Sequence, residues 1–282
     1  MQPVIDYHTH IGTAEQWGEP ILAEAERMRG AGAATLATSF SAHGAAMANV
    51  SRAIVLAFRS LHLGVDVPNE YVAEYVATDP QKFIGFASVD PHDGNALPQL
   101  RRAHRELGLR GLKTSPIYQA YEPLDARMLG IYRYCEDHGL PILTHHGTTF
   151  PRTAPLKWAH PQQIEEIALA YPELRILIAH LGHPWEAETI AVVRKHPHVY
   201  ADISALFYRP WQLYGSLTLA KEYGVWNKLV FGTDFPVTTA DETVDGLERL
   251  LGYARHMPFP SFSREDIEAL IGNDILGELG LH

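Results

Sequence analysis

Asp6-Tyr7-His8-Thr9-His10 sets two imidazoles two residues apart. In an extended chain that spacing points both rings, and Asp6 with them, to one side, so the two histidines can converge on one ion. Groups of similar chemistry end other short apolar runs. Lys113 ends Gly111-Leu-Lys, His145 ends Pro141-Ile-Leu-Thr-His, His180 ends Arg175–His180, and Asp234 ends Leu229–Asp234. His8, His10, His145 and Asp234 together offer three nitrogens and a carboxylate. This donor set suits Zn²⁺ first, with Mn²⁺ or Fe²⁺ as alternatives. The single cysteine, Cys135, excludes a thiolate site and an internal disulfide; its surroundings read as a helix face.

The elements that must carry these groups repeat along the chain. Eight apolar, β-branched runs are legible: Val4–His8, Ala53–Phe58, Phe83–Val89, Gly111–Lys113, Pro141–His145, Arg175–His180, Val199–Asp202 and Leu229–Asp234. Each is followed by a stretch with helical spacing, the pattern of βα units around a parallel sheet. Asp125 caps one predicted helix, which runs to His138 and stops at Gly139. From the third run onward the starts fall 24 to 34 residues apart, whereas Gly12–Ser51 is long enough for an extra helix or two. No linker divides the units, so the expectation is an α/β fold: one (β/α)8 TIM barrel spanning 1–282 as a single domain, with an elaborated first βα loop. A doubly wound sheet would carry a glycine-rich turn after the first strand, where this chain has His8-Thr-His-Ile-Gly. In such a barrel the strand C-termini form the active face, and the runs end there in histidines, a lysine and an aspartate.

The 282 residues carry 23 Lys and Arg against 33 Asp and Glu, a formal charge of −10, with 46% hydrophobic residues. A main nucleic-acid partner is not expected from an acidic chain without a basic stripe. No run of 18 apolar residues and no basic leader with an apolar core is present, so no membrane partner is expected and the cytoplasm is the expected location. His196-Pro-His198 repeats the first motif's spacing but precedes a strand, on the stability face; His138 falls on the same side. His43, His62, His104, His256 and His282 lack companion donors and read as surface or capping residues.

The chain also resembles the amidohydrolase superfamily, in its amidohydrolase-2, aminocarboxymuconate-semialdehyde decarboxylase-like branch. The matching stretches are Asp6-Tyr-His-Thr-His-Ile-Gly, Phe83–Pro91, Gly111-Leu-Lys, Leu140–Gly147, Ile178-Ala-His-Leu-Gly and Phe231-Gly-Thr-Asp-Phe-Pro. The resemblance implies that His8, His10, His145 and Asp234 bind a divalent metal and that His180 is catalytic. At the fifth run His145, rather than His146, maps to the ligand, because adjacent strand residues face opposite sides. Lys113 stands where binuclear members carry a carbamylated lysine. It is either a second-metal ligand after modification or, as an ammonium, a substrate anchor, and one ion is favoured over two. Asp6 is expected to accept a hydrogen bond or to support a ligand histidine from behind; Asp202 with Ser204, and Asp90 with His92, either line the mouth or serve loop turns.

The expected function is a metal-dependent hydrolase activating water against a small carboxylated or cyclic substrate, with Asp234 as general base and His180 stabilising an oxyanion or donating a proton. The alternative is a non-oxidative decarboxylase on the same constellation. Further alternatives are a metal-independent lactonase and a non-catalytic metal-binding barrel. Candidate substrate contacts are Arg152, Trp158, Trp185, Tyr208 and Arg209 in the loops after the fifth, sixth and seventh strands. The expected partner is a small molecule, and the resemblance is compatible with a homodimer.

Overall fold

Eight parallel strands follow one another around a ring in the order predicted from the apolar runs. The computed structural model describes residues 4–29, 35–254 and 261–281. The strands are β1 (Ile5–His10), β2 (Arg52–Leu56), β3 (Phe58–Ser60), β4 (Val65–Val67), β5 (Phe83–Ser88), β6 (Leu112–Thr114), β7 (Ile142–Thr144), β8 (Ile176–Ile178), β9 (Val199–Asp202) and β10 (Leu229–Val230). Sheet order is β1-β2-β5-β6-β7-β8-β9-β10. The seam between β10 and β1 is closed by single backbone bonds: Tyr7 N to Phe231 O at 3.1 Å, Asp234 N to His8 O at 2.8 Å and His10 N to Phe235 O at 2.8 Å. The last strand is therefore shorter than its apolar run, because Phe231–Asp234 bends to meet β1 instead of extending.

Alternation along the strands sorts side chains into two cores. Tyr7, Leu56, Phe86, Leu143, Leu177 and Val230 belong to one cluster, closed by the C-terminal residues Ile275–Leu281. The intervening residues, such as Val55, Ala87, Ile142, Ile178 and Ala201, pack with the helices in the larger cluster. A strand buried on both faces must be apolar on both, which explains the unbroken runs in the sequence. The helices present apolar stripes to this layer; in Ala96–Arg105 it is Ala96, Leu100 and Ala103 that are buried. Asp125 caps Ala126–Asp137 by accepting the Arg127 N–H at 2.9 Å, and Gly139 takes the left-handed conformation (φ 64°) that ends it.

Among its described residues the first loop holds three helices: Ala14–Trp17, Glu19–Arg29 and Phe40–Ala46. Two elements lack a clear sequence signal. The antiparallel ribbon β3-β4 has three residues per strand, too few for a readable alternation. The closing helix Arg264–Ile271, capped by Ser263, follows the last predicted unit. Among the described residues no helix is long and apolar enough to cross a membrane.

Candidate active site

Strand ends bring the predicted groups together at one mouth of the barrel. His8, His10, Lys113, His145, His180 and Asp234 all line one inner chamber of ≈ 80 Å³. His8 and His10 enter it although Ile5 and Tyr7 also join the interior cluster. A register shift between Asp6 and Thr9 accounts for this, since a bulge re-aims the residues beyond it. Of the two roles expected of Asp6, it takes that of hydrogen-bond acceptor and does not hold a histidine ring. It accepts the backbone N–H of His8 at 3.1 Å and of Thr233 at 3.0 Å, and the Thr233 hydroxyl at 2.7 Å, bracing the seam. Strand parity holds at β7. His145 faces the chamber, while His146 bonds Thr144 on the other side (Nδ1 to Oγ1, 3.1 Å).

The tightest convergence joins three groups. His8 Nε2 lies 3.2 Å from His10 Nε2, and each lies 3.3 Å from Asp234 Oδ1. Lys113 Nζ donates to His8 Nε2 at 3.2 Å. On the far side of its ring, His8 Nδ1 donates to Asp202 Oδ2 at 3.0 Å. His145 stands outside this triangle, its Nε2 on the Thr148 carbonyl at 3.1 Å and its ring 5.0 Å from that of His180. His180 Nε2 comes within 4.0 Å of Asp234 Oδ2. His10 Nδ1 is buried without a hydrogen-bond partner among the described residues.

His180 (φ 54°) and Asp234 (φ 58°) both adopt the left-handed backbone conformation, which costs non-glycine residues about 1 kcal/mol or more. Neighbouring bonds hold them there: the His180 N–H to Asp202 Oδ1 at 2.9 Å and the Asp234 N–H to the His8 carbonyl. Gly232 has no side chain for a steric reason: a Cβ there would sit 3.2 Å from Ser204 Cβ and 3.3 Å from His8 Cβ.

Burial sets the protonation states. It lowers the ring pKa of His8, of His10 and, strongly, of His145, and brings His180 down to about 4. The rings are therefore neutral and able to donate lone pairs. Burial also lowers Lys113, to about 8, against the attraction of Asp234 and Asp202. For Asp234 burial acts upward, but His180 and His8 outweigh it and hold the carboxyl well below the usual range, ionised. Burial pushes Asp6 up to about 7 against its hydrogen bonds.

Apolar side chains wall the inner chamber: Trp17, Ile21 and Leu36 from the first loop, Phe58 and Val65 from the ribbon, and Phe150. The first-loop and ribbon residues went unread as contacts because aromatic and aliphatic side chains in loops carry no periodic signal. A wider outer chamber of ≈ 680 Å³ shares His145, His180, Asp234 and Tyr118 with the inner one, and adds Thr148, Thr149, His183, Tyr208 and Arg209. The expected contacts thus divide. Tyr208 and Arg209 line the outer chamber, with the guanidinium 4.5 Å over the Tyr208 ring. Arg152, Trp158 and Trp185 line neither chamber. Arg152 is exposed, Lys157 lies over the Trp158 ring at 4.4 Å, and Trp185 packs on Ile117, Ala154 and Ala159. Those loops fold back onto the rim instead of over the mouth.

Asp202 and Ser204 line neither chamber; they lie buried behind the His8 and His180 rings and bond to their Nδ1 atoms, and their position at the end of β9 was the available signal. Asp90 and His92 serve the loop, the Asp90 carboxylate accepting the N–H groups of Leu61 and His92. His43 is corrected from a surface residue to a fully buried one, bridging Thr9 Oγ1 at 2.9 Å and the Tyr75 hydroxyl at 2.8 Å. His196 and His198 precede β9 near Glu165 and Glu173, away from the mouth. His138 bonds the Tyr134 carbonyl. His62 and His104 meet the Thr153 carbonyl and the Tyr134 hydroxyl. His256 and His282 lie outside the described residues.

Residues 5–273 match the sequence profile of a family described as amidohydrolase. Among solved structures the chain is similar to an uncharacterised TIM-barrel protein from Bordetella bronchiseptica, at 20% identity and a TM-score of 0.74 over 99% of each chain. It is also similar to a dihydroxybenzoic acid decarboxylase from Polaromonas sp. JS666 with bound manganese and the inhibitor 2-nitroresorcinol. That match has 17% identity and a TM-score of 0.67, over 100% of this chain and 98% of the other. A third is a probable 2-pyrone-4,6-dicarboxylic acid hydrolase from Acinetobacter baumannii with citric acid bound, at 15% identity and a TM-score of 0.61, over 95% of this chain and 99% of the other. At these identities the likeness establishes the TIM-barrel fold. No curated protein matches in sequence.

Proposed function

The chain belongs to the amidohydrolase family and is an enzyme, and from that premise we propose that it decarboxylates a small ring carboxylate without oxidation, using one divalent metal. The observation that carries this reading is a convergent His/Asp donor set opening directly into an apolar chamber. The manganese-containing decarboxylase of the same fold supports it. The reading therefore favours decarboxylation over the hydrolysis that the strand-end residues alone suggest.

The residues fit a metal. Donors sharing one ion at about 2.1 Å stand roughly 3 to 3.5 Å apart, and His8 Nε2, His10 Nε2 and Asp234 Oδ1 are separated by 3.2 to 3.3 Å. Ligand histidines usually donate their second N–H to a carboxylate or carbonyl. His8 does so to Asp202 and His145 to Thr148, which leaves His8 Nε2 and His145 Nδ1 as lone-pair atoms. His8, His10 and Asp234 would hold the ion, with His145 as the fourth ligand; Mn²⁺ and Zn²⁺ both suit this set. The other His/Asp group, His8 with His180 and Asp202, is already joined by hydrogen bonds. Bound there, the metal supplies Lewis acidity toward substrate oxygens.

The chain's own residues do the rest. Lys113 places a positive charge beside the donors, where a substrate carboxylate is anchored. The walls of Trp17, Ile21, Leu36, Phe58 and Val65 exclude water from the ring, which favours loss of a charged carboxylate as neutral carbon dioxide. The carbon that loses carbon dioxide gains one proton, so ring–COO⁻ plus H⁺ gives ring–H plus CO₂. Asp234 and His180, 4.0 Å apart, carry that proton to the chamber. Its single thiol, Cys135, is buried and free, which suits a reducing cytoplasm.

Hydrolysis of a cyclic substrate is the second reading, favoured by the outer chamber, where Thr148, Thr149 and Arg209 give polar access. The test incubates Mn²⁺- or Zn²⁺-loaded protein with mono- and dihydroxybenzoates and, separately, with carboxylated lactones. Carbon dioxide release from a hydroxybenzoate is expected. Acid release from a lactone without carbon dioxide would establish hydrolysis in its place.

A further inference from the structure

One carboxylate touches both the metal-binding and the proton-carrying sides of the site. Asp202 Oδ2 accepts from His8 Nδ1 at 3.0 Å. Its Oδ1 accepts the N–H of His180 at 2.9 Å, the N–H of Ser204 at 3.0 Å and the Ser204 hydroxyl. Ser204 Oγ in turn lies 2.7 Å from His180 Nδ1 and, more distantly, 3.3 Å from His8 Nδ1, and the Ser204 carbonyl lies 3.2 Å from the His180 nitrogen. Asp202, Ser204 and the His8 and His180 rings are buried.

The polarity of this chain follows from its acceptor-only members. A carboxylate and a carbonyl cannot donate. Asp202 therefore requires the His8 proton on Nδ1, and the Ser204 carbonyl, at the longer 3.2 Å, favours the His180 proton on Nδ1. The Ser204 hydroxyl agrees: it donates to Asp202 and has its lone pairs left for the His180 N–H. The opposite polarity would set two pairs of lone pairs against each other in a buried place. On the far sides Lys113 donates to His8 Nε2 at 3.2 Å, while Asp234 faces His8 Nε2 at 3.3 Å and His180 Nε2 at 4.0 Å, the lone-pair cluster that a divalent cation would occupy. The two rings stack at 4.9 Å and 23°, as expected of groups held by one anchor.

We propose that Asp202 and Ser204 are positioning residues that set both tautomers together. Asp202 holds His8 as the Nδ1–H form directly and His180 as the Nδ1–H form through the Ser204 hydroxyl, so that both Nε2 lone pairs face Asp234. His180 thereby presents its Nε2 lone pair to the chamber before substrate arrives. The inference rests on His8 and His180 serving one site, as read above, and not on which reaction that site performs.

Histidine-selective ¹⁵N labelling of metal-free protein reads the tautomers without substrate, and Mn²⁺ titration reads the donor side. In the wild type both rings are expected as Nδ1–H. Ser204→Ala removes the shorter of the two contacts to His180 Nδ1 and keeps the longer carbonyl contact, so it is expected to bring the Nε2–H form of His180 in beside the Nδ1–H form, leave His8 as Nδ1–H on Asp202 and leave Mn²⁺ affinity within about 2-fold; Ser204→Thr restores the wild-type signals. Asp202→Asn is expected to disturb both rings and weaken Mn²⁺ binding about 10- to 100-fold. Unchanged His180 signals in Ser204→Ala would overturn the proposal. So would a loss of Mn²⁺ affinity in that variant that Ser204→Thr does not repair, since that marks a packing defect. If Asp202→Asn fails to fold, the Ser204 pair decides alone. Absence of decarboxylation defeats the proposed reaction and leaves the tautomer result standing.

Discussion

The Nε2 atoms of His8 and His10 face each other at 3.2 Å, with Asp234 Oδ1 at 3.3 Å from both. Two neutral rings and a carboxylate so close, with Lys113 the cation donating to one of them, concentrate lone pairs that a divalent cation would bind.

Metal binding should therefore stabilise the fold. Ligand at 100 times its dissociation constant contributes about 2.7 kcal/mol, and roughly 2 to 4 °C per kcal/mol is usual for a large domain. Chelation should lower Tm by about 5 to 10 °C, and added Mn²⁺ or Zn²⁺ should restore it. In His10→Ala most of the response should vanish. A wild-type Tm indifferent to chelator and to both ions would refute the metal assignment.

Asp234→Asn should separate folding from chemistry. Asparagine tolerates the left-handed backbone as aspartate does, so stability should change by less than about 1 kcal/mol. Turnover should fall at least 100-fold, as expected on losing an acid–base group. Thermal melts and steady-state rates decide it, and a rate near wild type would remove Asp234 from the proton path.

Lys113→Met tests the buried ammonium. Removing a positive charge beside the donors should tighten Mn²⁺ binding and raise KM for a carboxylated substrate, each by roughly 10-fold, or about 1.4 kcal/mol. Metal stoichiometry is the control. Two equivalents in the wild type falling to one in the variant would make Lys113 a modified metal ligand instead.

Gly232→Ala should misplace the site with little effect on the core. The added methyl meets Ser204 and His8 at 3.2 and 3.3 Å, so those neighbours must yield by a few tenths of an ångström. Misplacement of about 1 Å can cost 100-fold, so a loss of roughly 10-fold in kcat is expected, with Tm nearly unchanged. Wild-type kcat would show that the seam yields elsewhere.

Two buried histidines that line neither chamber, His43 and His146, should make the fold acid-sensitive. Burial lowers each to about 3, against about 6.5 in an unfolded chain. As pH falls below about 6.5 the unfolded state takes up protons that the folded state refuses, so stability is present above that pH and lost below it. Each contributes a slope of up to about 1.4 kcal/mol per pH unit. Asp6, raised to about 7, acts with the opposite sign above about 3.9, because there the unfolded carboxyl ionises first. A variant comparison isolates one histidine. Urea midpoints between pH 7 and 5 should fall less steeply in His43→Gln than in the wild type, and equal slopes would contradict the assignment.

Much of this arrangement is legible along the chain. The eight runs locate the strands because a strand buried on both faces must be apolar throughout. Asp125 and Gly139 mark one helix's ends through their own backbone chemistry. Strand parity puts His145 and His146 on opposite sides, since one residue's step reverses the side, and the family resemblance marks His145 as the one that faces inward. The same parity fails for Asp6, where the register shift in β1 breaks the alternation that the argument assumes.

Residue type and spacing, by themselves, determined the repeating barrel unit and which strand ends carry nitrogen and oxygen donors, because period and polarity are local properties of a chain. Tertiary structure alone decided the rest. It made Asp202 the shared anchor of His8 and His180, buried His43 against Thr9 and Tyr75, and chose Trp17 and Phe58 over Trp158 and Trp185 as walls. Those outcomes depend on where a loop returns across the barrel, and loop paths are set by contacts between residues far apart in sequence that no local pattern encodes.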